Sequence, residues 1–257
     1  MTEALETRHM IAGGVISSLG AGSGPPLVVL HHSIGSLGWT PLFADLSRDH
    51  RVLAPDLPGH GASTRPDWAR DPRDLAILLG LWLDAQCLGP VEILGLGFGG
   101  WIGLELATLA PGRIADLVLV GAPGMVPAQG RILDQFLVSH LDYVRAYFED
   151  PARHEAVFGG EPDLDRLEQW EISREMTARI GWKPYMVNRR LAHLLPELRM
   201  PALLVWGERD RVVPLECGEQ LAKRLPQARL EIVSGCGHAV DLERPDALAR
   251  LIRLGKR

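Results

Sequence analysis

Val91-Glu92-Ile93-Leu94-Gly95-Leu96-Gly97-Phe98-Gly99-Gly100 is an apolar run that breaks into glycines and leads into a segment of helical period. A short run rich in β-branched and leucine residues, bounded by turn formers, reads as a buried strand. The adjoining stretch, Phe98 to Leu109, reads as a helix. The frame Gly95-Leu96-Gly97-Phe98-Gly99 matches the G-x-S-x-G turn in every position but one. In that turn a serine is lifted from the end of a strand on a sharp bend. Gly97 stands where the hydroxyl belongs.

On either side of this turn, strand-like runs alternate with longer helical segments, the pattern of a mainly parallel sheet covered on both faces. Strands are expected at Pro26–His32, Arg51–Asp56, Ile114–Val120, Ala202–Trp206 and Leu230–Val233, besides Val91–Leu96. Helices are expected at Thr40–Ser47, Pro72–Ala85, Gly218–Leu225 and Pro245–Leu254, besides Phe98–Leu109. The rhythm stops between about Ala122 and Arg199, where charge is dense and Phe136, Tyr143, Tyr147, Trp170, Trp182 and Tyr185 are scattered. This predicts a doubly wound α/β core from residues 1–121 and 200–257, with a helical cap from 122–199 inserted at the ligand-facing end of the sheet. The bland alternative is a set of packing helices whose aromatics form a satellite core.

The 257 residues suffice for one large α/β domain. Their 46% apolar and 23% charged fractions are ordinary for a globular protein. A net charge of −5 leaves no basic footprint for nucleic acid. No apolar run reaches membrane-spanning length, and Met1–Met10 lacks a signal-peptide core, so the cytoplasm is the expected location. Three scattered cysteines, Cys87, Cys217 and Cys236, argue against a disulfide framework. Association into a homo-oligomer is left open.

Two late turns carry candidate chemistry. Asp210 lies in Trp206-Gly207-Glu208-Arg209-Asp210 and His238 in Gly235-Cys236-Gly237-His238, each just past a strand. A buried carboxylate at Asp210 would accept the Nδ1 proton of His238 and stabilise the imidazolium formed when Nε2 takes a proton. Alone, these residues would pass for a turn former and a satisfied loop histidine. Glu208 and Asp241 are the fallback carboxylates. His31 and His32 have no partner cluster at metal-ligand spacing, so no metal is expected and packing near a pocket is the reading. Cys236 and His60 read as structural.

Taken with His31-His32-Ser33-Ile34-Gly35-Ser36 and Asp56-Leu57-Pro58-Gly59-His60-Gly61-Ala62-Ser63, these segments stand in the order of the α/β-hydrolase fold superfamily, which the chain resembles over nearly its whole length. The resemblance implies Gly97 at the nucleophile position, Asp210 as acid and His238 as base, with an oxyanion hole from the N–H groups of Ser33 and Phe98. His32 departs from the common His-Gly loop, and the loop is similar to that of the 3-oxoadipate enol-lactonase branch. A small carboxylic ester, lactone or related carbonyl compound is therefore the expected substrate, with no cofactor, and Ile34, Met125, Trp182, Tyr185 and Val213 are expected to line its pocket.

Three readings of Gly97 stand. The leading one is an esterase- or lactonase-like hydrolase whose serine has been replaced by Gly97, an inactivating change. The second is a native serine-less enzyme that uses His238 and Asp210 as a general base, as a lyase, cofactor-free oxygenase or carbon–carbon bond hydrolase. The third, a ligand-binding protein on the same scaffold, leaves the retained His238 and Asp210 unexplained.

Overall fold

The computed structural model describes residues 4–255. Its sheet is built from β1 (Leu5–Ile11), β2 (Gly14–Ala21), β3 (Pro26–Leu30), β4 (Arg51–Pro55), β5 (Val91–Leu96), β6 (Ile114–Val120), β7 (Ala202–Gly207) and β8 (Ala228–Val233). These run in the order β1-β2-β4-β3-β5-β6-β7-β8. The β1/β2 and β2/β4 pairs are antiparallel, and the others are parallel. The order reverses between β3 and β5, the switch point outside whose carboxyl ends open α/β sheets bind ligands. His31 comes just after β3 there, and Gly97 just after β5.

Alternation along the strands divides the core in two. Val28, Leu30 and Ile93 face the layer that holds α2 (Pro72–Ala85), α3 (Phe98–Leu109) and α8 (Leu215–Arg224), packing with Leu79, Trp82, Ile102 and Leu221. Leu27, Val29, Leu94 and Leu96 face α1 (Pro41–Leu46) and α10 (Pro245–Leu254), against Leu46, Leu248 and Ile252. Because successive side chains of a strand point to opposite faces, both layers draw on the same strands. That is why β5 is buried at every residue and reads as an apolar run broken only by Glu92. Local chemistry fixes where α2 starts: Asp71 accepts from the N–H groups of Arg73 and Asp74 in a capping box, and Pro72 takes the first helical turn.

Between β6 and β7 the chain adds no strand to the sheet. It forms α4 (His140–Arg145), α5 (Pro151–Phe158), α6 (Leu164–Gly181) and α7 (Leu191–Leu194), the first three capped by Ser139, Asp150 and Asp163. Only Trp170, Ser173, Thr177, Ile180 and Gly181 of α6 are buried, a stripe at helical spacing. The segment is tied at its two ends by Gly124 N–H to Met186 O at 2.9 Å and Asn188 N–H to Gly124 O at 2.9 Å. The one part of the sheet that sequence reading omits is the β1/β2 hairpin. Every β1 residue except Ile11 is exposed or half-buried, so the alternation that marks a half-buried strand is missing.

Candidate active site

Gly97 adopts φ 48°, ψ −114°, a left-handed bend that a side chain enters only at a cost of about 1–3 kcal/mol. Its N–H donates to Val120 O at 2.8 Å, which fixes the bend to the end of β6. The N–H of Gly99 donates to His31 O at 3.0 Å, joining the start of α3 to the loop after β3. A Cβ built on Gly97 would lie 2.6 Å from Nδ1 of His32 and 2.9 Å from Nε2 of His238. Both distances are well inside the ~3.5–4.0 Å of ordinary van der Waals contact. The seat of a side chain at position 97 is flanked by two imidazoles.

Each imidazole has its own buried carboxylate. Nδ1 of His238 lies 2.8 Å from Oδ2 of Asp210, and the two side chains are 2% and 0% exposed. Oδ1 of Asp210 accepts from the N–H groups of Val212 and Val213, both at 2.8 Å. An ionised carboxylate only accepts, so Nδ1 of His238 carries the shared proton and Nε2 is left as the acceptor towards Gly97. The second pair is His32 Nε2 with Asp241 Oδ1 at 2.9 Å, the side chains 3% and 4% exposed. Asp241 sits on the short helix α9 (Val240–Glu243) just after His238. The two rings lie 5.2 Å apart, centroid to centroid.

Gly121 makes room for the first pair. With φ 56°, it ends β6 beside His238, and a Cβ there would meet Nδ1 of His238 at 2.7 Å and Cε1 at 2.8 Å. Behind it, the carboxylate of Glu243 organises the histidine turn by accepting from Gly237 N–H at 2.7 Å and Asp150 N–H at 2.8 Å. The Cys236 thiol also donates to Glu243, and burial pushes this thiol well above its ordinary range. It is protonated and engaged with Glu243.

Two of the three tyrosines of the sequence, Tyr143 and Tyr147, stand over this centre. The Ser33 hydroxyl lies 3.0 Å from Tyr143 Oη and 2.9 Å from Tyr147 Oη. The Tyr147 ring is edge-on to both imidazoles, at 4.7 Å from His238 and 5.2 Å from His32. Tyr185 Oη donates to Leu133 O at 3.1 Å and accepts from Gln135 N–H. Burial raises the pKa of all three phenols, so each is a neutral hydroxyl at physiological pH.

The residues singled out in the sequence divide accordingly. Gly97, Asp210 and His238 meet, and Ser33 and Phe98 are buried in the two segments that converge on them. Ile34, Met125 and Val213 are buried, and Val213 meets Asp210 through its backbone. Trp182 stands apart: it is 50% exposed and stacks edge-on against Phe136 and Tyr185. His31 is a strut, its Nε2 accepting from Leu57 N–H at 2.9 Å. Asp241, a fallback partner for His238 in the sequence, pairs with His32 instead. Tyr143, Tyr147 and this pairing are what the sequence reading misses. The signal available for it was the histidine at position 32, where the loop usually carries glycine.

A cavity of about 380 Å³ opens beside the loop, lined in part by Ile34, Gly35, Ser36, Asp56 and Ser173. A larger one, about 550 Å³, lies away from the imidazoles among Arg73, Trp101, Glu105, Lys183 and Asn188. Among the described residues, no group of three or more His, Cys, Asp or Glu is placed to hold a metal ion. Nor is any described helix long and apolar enough to cross a membrane.

Known proteins share this architecture. The profile of the family described as "Alpha/beta hydrolase family" matches residues 27–251. The chain is 29% identical over 268 residues to a 2-hydroxy-6-oxo-2,4-heptadienoate hydrolase of Pseudomonas putida, covering 95% of this chain and 94% of the relative. It is 30% identical over 250 residues to a pimeloyl-acyl-carrier-protein methyl ester esterase of Aromatoleum aromaticum, covering 89% and 96%. Among solved structures, 2-hydroxy-6-oxo-6-phenylhexa-2,4-dienoate hydrolase from a Rhodococcus strain superposes with a TM-score of 0.80 at 25% identity, over 100% of both chains.

Proposed function

Because the chain belongs to the alpha/beta hydrolase family, we propose that it is a serine-less hydrolase in which His238, held by Asp210, activates water against the carbonyl of a small ester, lactone or oxo-dienoate. The observation that carries this reading is the His238–Asp210 pair, buried and hydrogen-bonded, with Nε2 facing the side-chain seat of Gly97. Nε2 takes a proton from water while the water oxygen attacks the carbonyl carbon. Asp210 stabilises the imidazolium, and the N–H groups of Ser33 and Phe98 donate to the oxyanion. Collapse breaks the bond to the leaving atom, which takes the proton back from His238; the net change is addition of water across that bond. Residues 122–199 act as the cap, and Tyr143, Tyr147 and Tyr185 supply neutral hydroxyls to orient the substrate.

The crowding at position 97 favours a native glycine over an inactivated serine enzyme. A serine Cβ there would overlap the buried ring of His32, which a hydrogen bond to Asp241 holds in place. The names of the relatives support both ester and oxo-dienoate substrates. The test is steady-state and pre-steady-state hydrolysis of p-nitrophenyl acetate, an enol-lactone and 2-hydroxy-6-oxo-2,4-heptadienoate. Turnover of at least one without an acyl-enzyme burst is expected, falling about 10²–10⁴-fold in His238→Gln, the range of general-base contributions. Undiminished turnover in His238→Gln overturns the proposal.

A further inference from the structure

The His32–Asp241 pair has the composition and burial of a catalytic dyad, and water activation by His238 alone leaves it unused. Nδ1 of His32 is buried with no hydrogen-bond partner among the described residues. That same atom is the nearest one to a side chain built at Gly97. Its other nitrogen is fixed by a carboxylate that is itself 4% exposed. The ring also faces His238 across the reacting centre at 5.2 Å. Leaving a buried acceptor without a partner costs about 1–3 kcal/mol, and here that cost falls on a ring nitrogen held in place from the other side by a buried carboxylate. Here the orphan points into the place where the attacking atom must stand.

The geometry points to His32, oriented by Asp241, as a second general base that shares the attacking water with His238. This inference rests on the water-activating role of His238. With Asp241 ionised, the His32 proton is on Nε2, and Nδ1 is a second acceptor beside His238 Nε2. One water then donates one O–H to each nitrogen and turns its lone pairs to the carbonyl carbon. His238 removes the first proton as the carbon–oxygen bond forms and returns it to the leaving atom when the old bond breaks. His32 holds the remaining O–H through the tetrahedral state and takes that proton as the acid product becomes a carboxylate, passing it to solvent. A serine hydroxyl has one proton and one base; a water has two protons, and this site has two bases.

The groups that face His32 are Asp241 on α9, His238 with Asp210 behind it, Tyr147 from the segment after α4, and His31 next to it in the loop. The experiment combines kinetics with histidine-selective ¹⁵N NMR on the full chain. With p-nitrophenyl acetate as the probe, His32→Asn is expected to lower kcat about 10²-fold or more, with KM within about threefold and the folded circular dichroism signal retained. Asp241→Asn, which lets the ring place its proton on Nδ1, is expected to give a similar loss, as wrong-tautomer variants do. In the unsubstituted protein, Nδ1 of His32 is expected to be of the unprotonated type at neutral pH. A His32→Asn variant that keeps its kcat while His238→Gln loses it overturns the second base and leaves the first standing. If His238→Gln keeps its rate, the water-activating reading itself fails. Should p-nitrophenyl acetate turn over no faster than in buffer, or His32→Asn not fold, the NMR decides: a proton resident on Nδ1 of His32 overturns the inference.

Discussion

A serine placed at Gly97 has to displace a ring that is hydrogen-bonded on its far side, and this makes the position testable apart from any substrate. Gly97→Ser alone is expected to gain no reactivity towards a fluorophosphonate probe, while Gly97→Ser with His32→Gly, which removes the nearer imidazole and lets the serine shift away from His238, is expected to be labelled at position 97 through His238. Mass spectrometry of the labelled peptide reads this directly, and rapid labelling of the single variant would show that His32 does not hold the seat. Gly121 gives a second outcome. At φ 56°, Gly121→Ala strains the backbone by about 1–3 kcal/mol and drives Cβ into His238. A lowered unfolding midpoint together with lost turnover is expected; a variant with normal turnover would mean that His238 can work displaced from Asp210. Asp210 and His238 were legible in the sequence because each closes a turn just past a strand, a local signature. The His32–Asp241 contact was not, because its partners are 209 positions apart and no local pattern links them.

Among the helices and strands, the junction between the sheet layers and residues 122–199 centres on Glu105 of α3. This fully buried carboxylate accepts from Trp101 Nε1 at 3.0 Å and Asn188 Nδ2 at 2.6 Å, and pairs with Arg73 of α2 at 3.3 Å. Glu105→Ala takes this acceptor from Trp101 Nε1 and Asn188 Nδ2, at about 1–3 kcal/mol for each one that stays buried, while Arg73 keeps Thr108. Denaturant unfolding should show that loss, and hydrogen exchange should show faster opening around residues 183–190; a change below about 0.5 kcal/mol, the usual size of surface effects, would mean that the junction is held elsewhere. The core elements were readable because burial on both sheet faces writes continuous apolar runs. Helix α2 begins where its Asp71 capping box and Pro72 put it, whereas α3 and α10 start at Gly97 and Arg244 with no side-chain cap. The β1/β2 hairpin was not readable: it turns on Ala12-Gly13, both at positive φ, without the Asn-Gly or Asp-Gly signal such a turn prefers. Helices α4 to α7 were anticipated only as a class, since the buried stripe of the longest, α6, is narrow and mixed with polar residues.

Over the entire chain, the buried ionisable groups set a pH window. His60, wholly buried beside His31 and Phe98, is held down to about 3 chiefly by desolvation, and His31 is lowered for the same reason. Below the ordinary histidine value of 6.5 the unfolded chain therefore binds protons that the folded one refuses, so stability falls as pH drops from about 6.5 towards 3. The opposite limb belongs to the acids that burial raises: the Cys217 thiol, pushed up to about 12 from 9.0, and the tyrosines, raised from 10.0. Above roughly pH 9 the unfolded chain releases protons that the folded one keeps, and stability falls again. The thermal midpoint should therefore be highest between about pH 6.5 and 9, and His60→Asn should flatten the acid limb. The tyrosines offer the sharper check, because Tyr147 packs edge-on against both imidazoles and Tyr143 shares the Ser33 hydroxyl with it. Tyrosinate absorbance should rise only together with loss of the folded circular dichroism signal. If the phenols titrate near pH 10 while that signal persists, they are open to water and cannot be the neutral, buried hydroxyls that roof the reacting centre.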